Sequence, residues 1–172
     1  SGTGKETIAH GLHGRSGPFV AVNCAAFKTG TLADSELFGY EKGAFTGADK
    51  RKKGLFEAAI GGTLFLDEIH ELSDATQSLL LRALQTKTIR PVGGNIEIPV
   101  DVRIVAATKP DIAEWVKEKK FLPDLYYRIK VLEIVVPSLA ERMEDIPLLI
   151  SHFTREYNTE NKTSTTMRTK TV

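Results

Sequence analysis

Short, continuous apolar runs alternate along this chain with longer segments whose apolar residues recur at helical spacing. The runs over 19–23, 63–67, 103–108 and 131–136 have the length and character of strands buried on both faces. The segments over 5–13, 31–38, 74–85, 112–119 and 144–157 are predicted helices. Taken in turn, strands and helices predict an α/β fold in which helices cover both faces of a parallel sheet. Over 74–85, Leu80, Leu81 and Leu84 make an apolar stripe behind an Asp74 placed to cap the helix start, a core-facing signal. The Gly93-Gly94-Asn95 turn separates Thr88-Ile89-Arg90 from Ile96-Glu97-Ile98 and predicts a hairpin projecting between helix and strand. The pattern contains no internal repeat.

Length and charge narrow the picture. A chain of 172 residues with 41% hydrophobic content can build one sizeable core, so one domain is expected. Its 23 Lys and Arg nearly cancel its 22 Asp and Glu, leaving a formal charge of +1 and no overall field to draw it onto nucleic acid or an acidic membrane. The Lys50-Arg51-Lys52-Lys53 run reads as solvated surface after a loop. The single cysteine, Cys24, closes a strand-like run and suits a reducing cytoplasm. No apolar run approaches the roughly 20 residues of a membrane span, and no basic-then-apolar leader opens the chain. Both ends read as cut. The chain begins inside a phosphate-loop pattern without the strand such a loop needs ahead of it. The stretch over 158–172 carries six Thr and hardly an apolar residue. These features predict a partial domain over 1–155 and a disordered or out-of-frame tail over 156–172.

Two motifs carry the chemistry. Ser1-Gly2-Thr3-Gly4-Lys5 is the second half of a G-x-x-x-x-G-K loop, in which Gly lets backbone N–H groups converge on phosphate oxygens, the following helix N-terminus favours negative charge and Lys5 reaches the terminal phosphates. Half a loop also fits a Gly-rich helix entry. The second motif, Gly61-Gly62-Thr63-Leu64-Phe65-Leu66-Asp67-Glu68, is an apolar strand ending in two acids. In ATPases such a strand lies beside the phosphate loop, so that Asp67 can hold Mg²⁺ and Glu68 can polarise the attacking water. Glu6 stands where many phosphate loops place a Ser or Thr ligand, which shifts the metal's load onto Asp67.

Specific resemblance enters at Gly43-Ala44-Phe45-Thr46-Gly47-Ala48. These six residues resemble the GAFTGA loop of the sigma-54-dependent transcription activators, a branch of the AAA+ P-loop NTPases. Similarity continues through 19–26, the Asp67-Glu68 strand, 102–108, 124–128 and 141–149, and covers about residues 1 to 155 in order. The resemblance implies a three-layer sandwich whose first strand and helical lid are largely missing here. It also implies a homo-oligomeric, hexameric ring with ATP and Mg²⁺ bound between subunits, hydrolysis moving the loop against sigma-54 in the RNA polymerase holoenzyme, and contact with DNA only through a domain absent from this chain. By the same resemblance, Asn23 would hold Glu68 off water, Thr108 would report the γ-phosphate and Arg128 would reach into the neighbouring subunit's site.

Three positions depart from the family's pattern. Leu122 stands where a second inter-subunit arginine is expected, Lys109 where an Asn usually follows the sensor threonine, and Ala140 where an arginine usually precedes Glu141-Arg142. Leucine can neither hydrogen-bond nor neutralise a phosphate, and Lys only donates where Asn also accepts. Remodelling of the sigma-54 holoenzyme is the leading expectation from the intact Gly43–Ala48 loop beside both nucleotide motifs, and the three departures motivate an alternative. A nucleotide-binding scaffold with little hydrolysis and an inactive truncated gene product are the alternatives.

Overall fold

The computed structural model describes residues 3–14, 17–27 and 30–166. Its larger unit, Thr3–Glu133, contains in chain order α1 (Lys5–His13), β1 (Phe19–Asn23), α2 (Gly30–Phe38), β2 (Gly39–Tyr40), β3 (Lys52–Lys53), α3 (Leu55–Ala58), β4 (Thr63–Asp67), α4 (Asp74–Thr86), β5 (Thr88–Ile89), β6 (Ile98–Pro99), β7 (Arg103–Ala106), α5 (Ile112–Lys117) and α6 (Pro123–Ile129). A smaller unit begins at Ile134 and holds α7 (Ile146–Asn161).

The expected parallel sheet is present, with strand order β1-β4-β7. β4 is central. Phe19 pairs with Thr63 and Asn23 with Asp67 on one side, and Thr63 pairs with Arg103 on the other. Leu64, Phe65 and Leu66 are buried whichever face they point to, as a strand covered on both sides requires. Each such side chain contributes about 1.5–3 kcal/mol of hydrophobic stabilisation. Leu37, Phe56, Leu80, Phe121 and Leu125 close the core around them. α1 is fastened to this sheet by polar contacts: His13 Nδ1 lies 2.9 Å from Thr63 Oγ1, and Arg103 donates to the Leu12 carbonyl at 2.7 Å.

α4 begins where periodicity places it, but Ser73 rather than Asp74 is its cap, its hydroxyl accepting the Thr76 N–H at 3.3 Å. Leu80 is fully buried, with Leu81 and Leu84 packed against the core. On the same helix, buried Gln77 donates to the Leu72 carbonyl and accepts the Leu122 N–H, both at 2.8 Å, so its amide is satisfied and pins the start of α6. The hairpin is present as an antiparallel pairing of β5 with β6, with Ile89 opposite Ile98.

Some elements differ from expectation. The run over 131–136 forms no strand: it joins neither edge of the sheet, and Val131 and Val135 are 88% and 83% exposed. Apolar, β-branched residues make a strand only when a neighbouring strand takes up their backbone groups. β7 ends at Ala106, two residues early, because the Ala107 carbonyl turns to accept the Ile69 N–H at 3.0 Å. α5 stops at Lys117, with Lys119 in a left-handed conformation at φ 58°. In the smaller unit, Met143–Asp145 make a 3₁₀ turn, and α7 starts with Pro147 in its first turn, where the missing N–H costs nothing. α7 runs across 155–156 into the Thr-rich stretch. Beyond Asn161, Asn158 Oδ1 accepts the Thr163 hydroxyl and the Thr165 N–H, both at 2.9 Å. The part of the tail up to Thr166 is described as helix and turn, and residues 167–172 lie outside the described residues. Among the described residues, no helix is long and apolar enough to cross a membrane.

Candidate functional site

The C-terminal end of β4 and the N-terminal end of α1 meet. Gly4, with φ 83°, turns the chain into α1 and leaves open space where a side chain would stand. Lys5 follows, its ammonium 3.6 Å from Glu68 Oε1 and 4.0 Å from Asp67 Oδ1. These separations are longer than the about 2.7–2.9 Å of a tight charge-assisted bond, so the ammonium is gathered by the carboxylates yet loosely held. A phosphate chain placed at this helix start would meet the Lys5 charge and the unbonded N–H groups of the first turn. Glu6 is exposed on that turn, Thr3 is half-buried ahead of it, and Ser1 and Gly2 lie outside the described residues. Among the described residues, no cluster of three or more His, Cys, Asp or Glu could hold a metal by itself. A single strand-end carboxylate such as Asp67 fits Mg²⁺, which takes one or two carboxylates and completes its shell with phosphate and water.

Glu68 is held in a left-handed conformation, φ 51° and ψ 48°, which costs a non-glycine residue about 1–2 kcal/mol. Three bonds maintain it. Its N–H donates to Asp67 Oδ1 at 3.0 Å, its carbonyl accepts the Glu71 N–H at 2.9 Å, and its Oε2 accepts the Lys109 N–H at 3.1 Å. Asn23, opposite Asp67 in the sheet, does not bond Glu68: its Oδ1 accepts the Ala25 N–H at 2.9 Å and caps a 3₁₀ turn, the ordinary work of an Asn at a strand end. Thr108 lies on the same side of the sheet, its hydroxyl 3.1 Å from His70 Nδ1. Sequence reasoning passed over His70, though an ionisable residue two places after an Asp-Glu pair was a usable signal. Beneath this cluster, Cys24 is fully buried. Burial first, then the charges of Asp67 and Glu68, push its thiol up to about 12.

The arginine half of the site is arranged differently. Arg128 is exposed in the last turn of α6 and donates to the Leu84 carbonyl at 2.9 Å. Leu122 caps the start of α6 and packs against the core. Lys109 contributes its backbone N–H to Glu68, which any residue but proline could do. Ala140 sits in a 3₁₀ turn of the smaller unit, whose start is closed by Ser138 and Glu141.

The loop over 43–48 leaves the body between β2 and β3, where Gly39 pairs with Lys53. A Cβ on Gly39 would lie 2.5 Å from the Lys52 carbonyl oxygen, and one on Gly54 would lie 2.4 Å from the Gly39 nitrogen, so the two glycines let the backbones touch and pinch the loop's base. This short strand pair went unforeseen. The loop closes on itself: Gly43 N–H donates to the Ala48 carbonyl at 2.8 Å and Ala48 N–H to the Phe45 carbonyl at 3.0 Å. Ala48 is buried, Thr46 is exposed, and Phe45 is 47% exposed with one side of its ring against Tyr40, centroids 4.9 Å apart. Glu41 and Val92 tie the loop's base to the β5-β6 hairpin through the Glu41 N–H to Val92 carbonyl bond at 3.0 Å. Two of the four charges in the basic run are engaged, Arg51 with Glu41 and Glu57 and Lys52 with Glu36.

Comparison with known proteins places this arrangement. The family model of the Sigma-54 interaction domain matches residues 1–135. The Nif-specific regulatory protein of Herbaspirillum seropedicae is 54% identical over 166 residues, covering 94% of this chain and 30% of that protein. The transcriptional regulatory protein ZraR of Salmonella typhimurium is 54% identical over 166 residues, covering 94% of this chain and 37% of that protein. Among solved structures, NtrX from Brucella abortus in complex with ADP has a TM-score of 0.84 at 38% identity, covering 95% of this chain and 36% of that one. The same protein in complex with ATP gives 0.82 at 38% identity, over 93% and 35%. The chain thus spans about a third of the length of these relatives. With most of its length matched, its parallel α/β sheet shared and half its residues identical to those of curated relatives, the chain belongs to the sigma-54 interaction domain family, the AAA+ domain of sigma-54-dependent activators.

Proposed function

We propose that this chain is the nucleotide-handling part of a cytoplasmic sigma-54-dependent transcription activator. It binds ATP with Mg²⁺, hydrolyses it between subunits of a homo-oligomeric ring, and presses the 43–48 loop against sigma-54 in the RNA polymerase holoenzyme. The observation that carries this reading is the gathering of Lys5, Asp67 and Glu68 at one strand end, on the unit that also presents the complete Gly43-Ala44-Phe45-Thr46-Gly47-Ala48 loop. NtrX in complex with ADP and ATP supports the nucleotide.

In this reading Lys5 offsets charge on the terminal phosphates, with Gly2, Thr3 and Gly4 of the loop around them and Ser1 and Glu6 at its margins. Asp67 gives a carboxylate to Mg²⁺, which when bound neutralises charge on phosphate oxygens. Glu68 orients water and accepts its proton. Thr108 meets the γ-phosphate. The Lys109 N–H holds the Glu68 carboxylate, the task the resemblance assigned to Asn23. Arg128 reaches a neighbour's site only after leaving the Leu84 carbonyl. Gly43 and Gly47 let the loop move, while Phe45 and Thr46 present an aromatic ring and a hydroxyl, flanked by Ala44 and Ala48, to sigma-54. DNA is engaged through a separate domain.

The test is retention of sigma-54 by the chain in the presence of ADP and aluminium fluoride, a transition-state analogue of phosphoryl transfer. Retention that depends on the nucleotide is expected, and its absence overturns the reading. A second reading, a scaffold that binds nucleotide and hardly hydrolyses it, is favoured by the engagement of Leu122 with the core and of Arg128 with Leu84. Turnover that rises in Leu122→Arg supports it, and unchanged turnover removes its main argument.

A further inference from the structure

Three residues beyond Asp67, His70 has a nearly buried side chain, 9% exposed, that none of the steps above uses. Its Nδ1 lies 3.1 Å from the Thr108 hydroxyl and 3.5 Å from Glu68 Oε2. Its Nε2 lies 3.3 Å from Glu71 Oε1. The ring meets Trp115 of α5 edge-on, with centroids 4.8 Å apart and planes at 88°. The neighbouring backbone is fixed, since Ile69 N–H donates to the Ala107 carbonyl at 3.0 Å. One imidazole thus touches a residue after β7, a residue after β4 and the first turns of α5.

We propose that His70 is a positioning residue that couples Thr108 to Glu68 and carries their state to Trp115. This rests on the nucleotide reading of the site. Both ring nitrogens face a carboxylate, but Nδ1 has a hydroxyl that can donate, Thr108 at 3.1 Å, nearer than Glu68 Oε2 at 3.5 Å, so in the neutral ring the hydrogen sits on Nε2, facing Glu71 at 3.3 Å, and Nδ1 presents a lone pair. The Thr108 hydroxyl donates to that lone pair, its other acceptor being the Pro110 carbonyl at 3.4 Å. To donate to a phosphate oxygen instead, Thr108 must give up His70. Nδ1 is then left facing Glu68 Oε2, acceptor against acceptor, an arrangement relieved only when the ring or the carboxylate turns. Edge contact with Trp115 means that a turning ring displaces the indole. Engagement of phosphate by Thr108 is in this way felt both at Glu68 and on α5.

Two amides separate this role from simple space filling. Asn at position 70 brings an amide group to the place of Nδ1 and can still accept from Thr108, whereas Gln reaches the place of Nε2 and cannot. The experiment uses the full chain as wild type, His70→Asn and His70→Gln. Calorimetry measures ADP and ATPγS binding, and the emission of Trp115, the chain's single tryptophan, is recorded with each nucleotide. Wild type and His70→Asn are expected to show different emission with ATPγS and with ADP. His70→Gln is expected to lose that difference and to raise the preference for ATPγS by about 3- to 10-fold, the worth of the one hydrogen bond Thr108 no longer has to give up. Nitrogen-15 spectra of the wild-type His70 ring, which need no variant to fold, are expected to show hydrogen on Nε2 and a shift at Nδ1 with ATPγS but not with ADP. The proposal is overturned by hydrogen on Nδ1, by an Nδ1 signal indifferent to the nucleotide, or by a Gln variant that behaves as wild type. Absence of any nucleotide binding by the wild type overturns the nucleotide reading and this proposal with it, whereas binding with an indifferent His70 overturns this proposal alone.

Discussion

The end of β4 and the 43–48 loop carry the two halves of the proposed function, yet they are held in opposite ways. Asp67 and Glu68 close a strand buried on both faces, Lys109 bonds the Glu68 carboxylate and Lys5 lies near both acids from two other segments, and Glu68 sits in a conformation it would not choose alone. The loop rests on a two-residue strand pair, a few backbone bonds and one side of the Phe45 ring. The difference teaches that position at β4 is bought from the core, whereas the loop is held mainly at its base and by its own backbone bonds. Alterations near β4 should therefore propagate into stability, and alterations at the loop tip should be felt mainly by a partner.

Leu66→Ala tests the first half most severely. Removing a fully buried side chain next to Asp67 should cost about 2–5 kcal/mol in urea unfolding. A loss below about 1 kcal/mol would mean the strand is not the support claimed for it. Cys24 sharpens the same point through pH. Because its thiol is pushed up to about 12 from an ordinary value of 9.0, the unfolded chain releases that proton first as pH rises. Its contribution is complete below about pH 9 and declines towards about pH 12, by at most about 1.4 kcal/mol per pH unit. Unfolding curves of wild type and Cys24→Ala should diverge in slope over that window and run parallel below it. Smaller effects belong to the loop. Gly43 has φ 83° with open space around its absent side chain, so Gly43→Ala should cost only the conformational strain, about 1 kcal/mol. Phe45→Ala should leave stability within about 0.5 kcal/mol of wild type while abolishing sigma-54 retention. A large stability loss there would make Phe45 a core residue and erase the contrast.

How much of this was legible beforehand follows the same division. β1 and β4 begin and end at the residues the apolar pattern marks, because a doubly buried strand leaves a continuous run that little else produces. The same signal misled over 131–136, where apolar residues stand without a strand to pair with: burial pattern is local, but pairing is not. Adjacent candidates could name Lys5, Asp67 and Glu68, yet no spacing rule told that Lys109 rather than Asn23 would bond Glu68, since that depends on where β7 lets go of the sheet. Arg128 shows the other limit. Its residue type suits an anion, while its position at a helix end offers it the Leu84 carbonyl. The Gly39 and Gly54 pinch was invisible because two-residue strands carry no periodicity, although the glycines themselves marked a close backbone approach.

The central claim is that Lys5, Asp67 and Glu68 form a phosphate site. Calorimetric titration of ATP with Mg²⁺ into wild type and Lys5→Ala tests it most directly. The account predicts binding by the wild type and a loss of at least about tenfold in Lys5→Ala, as removal of a charged partner of the phosphates requires. Equal binding by the two proteins, or none by the wild type, would contradict it.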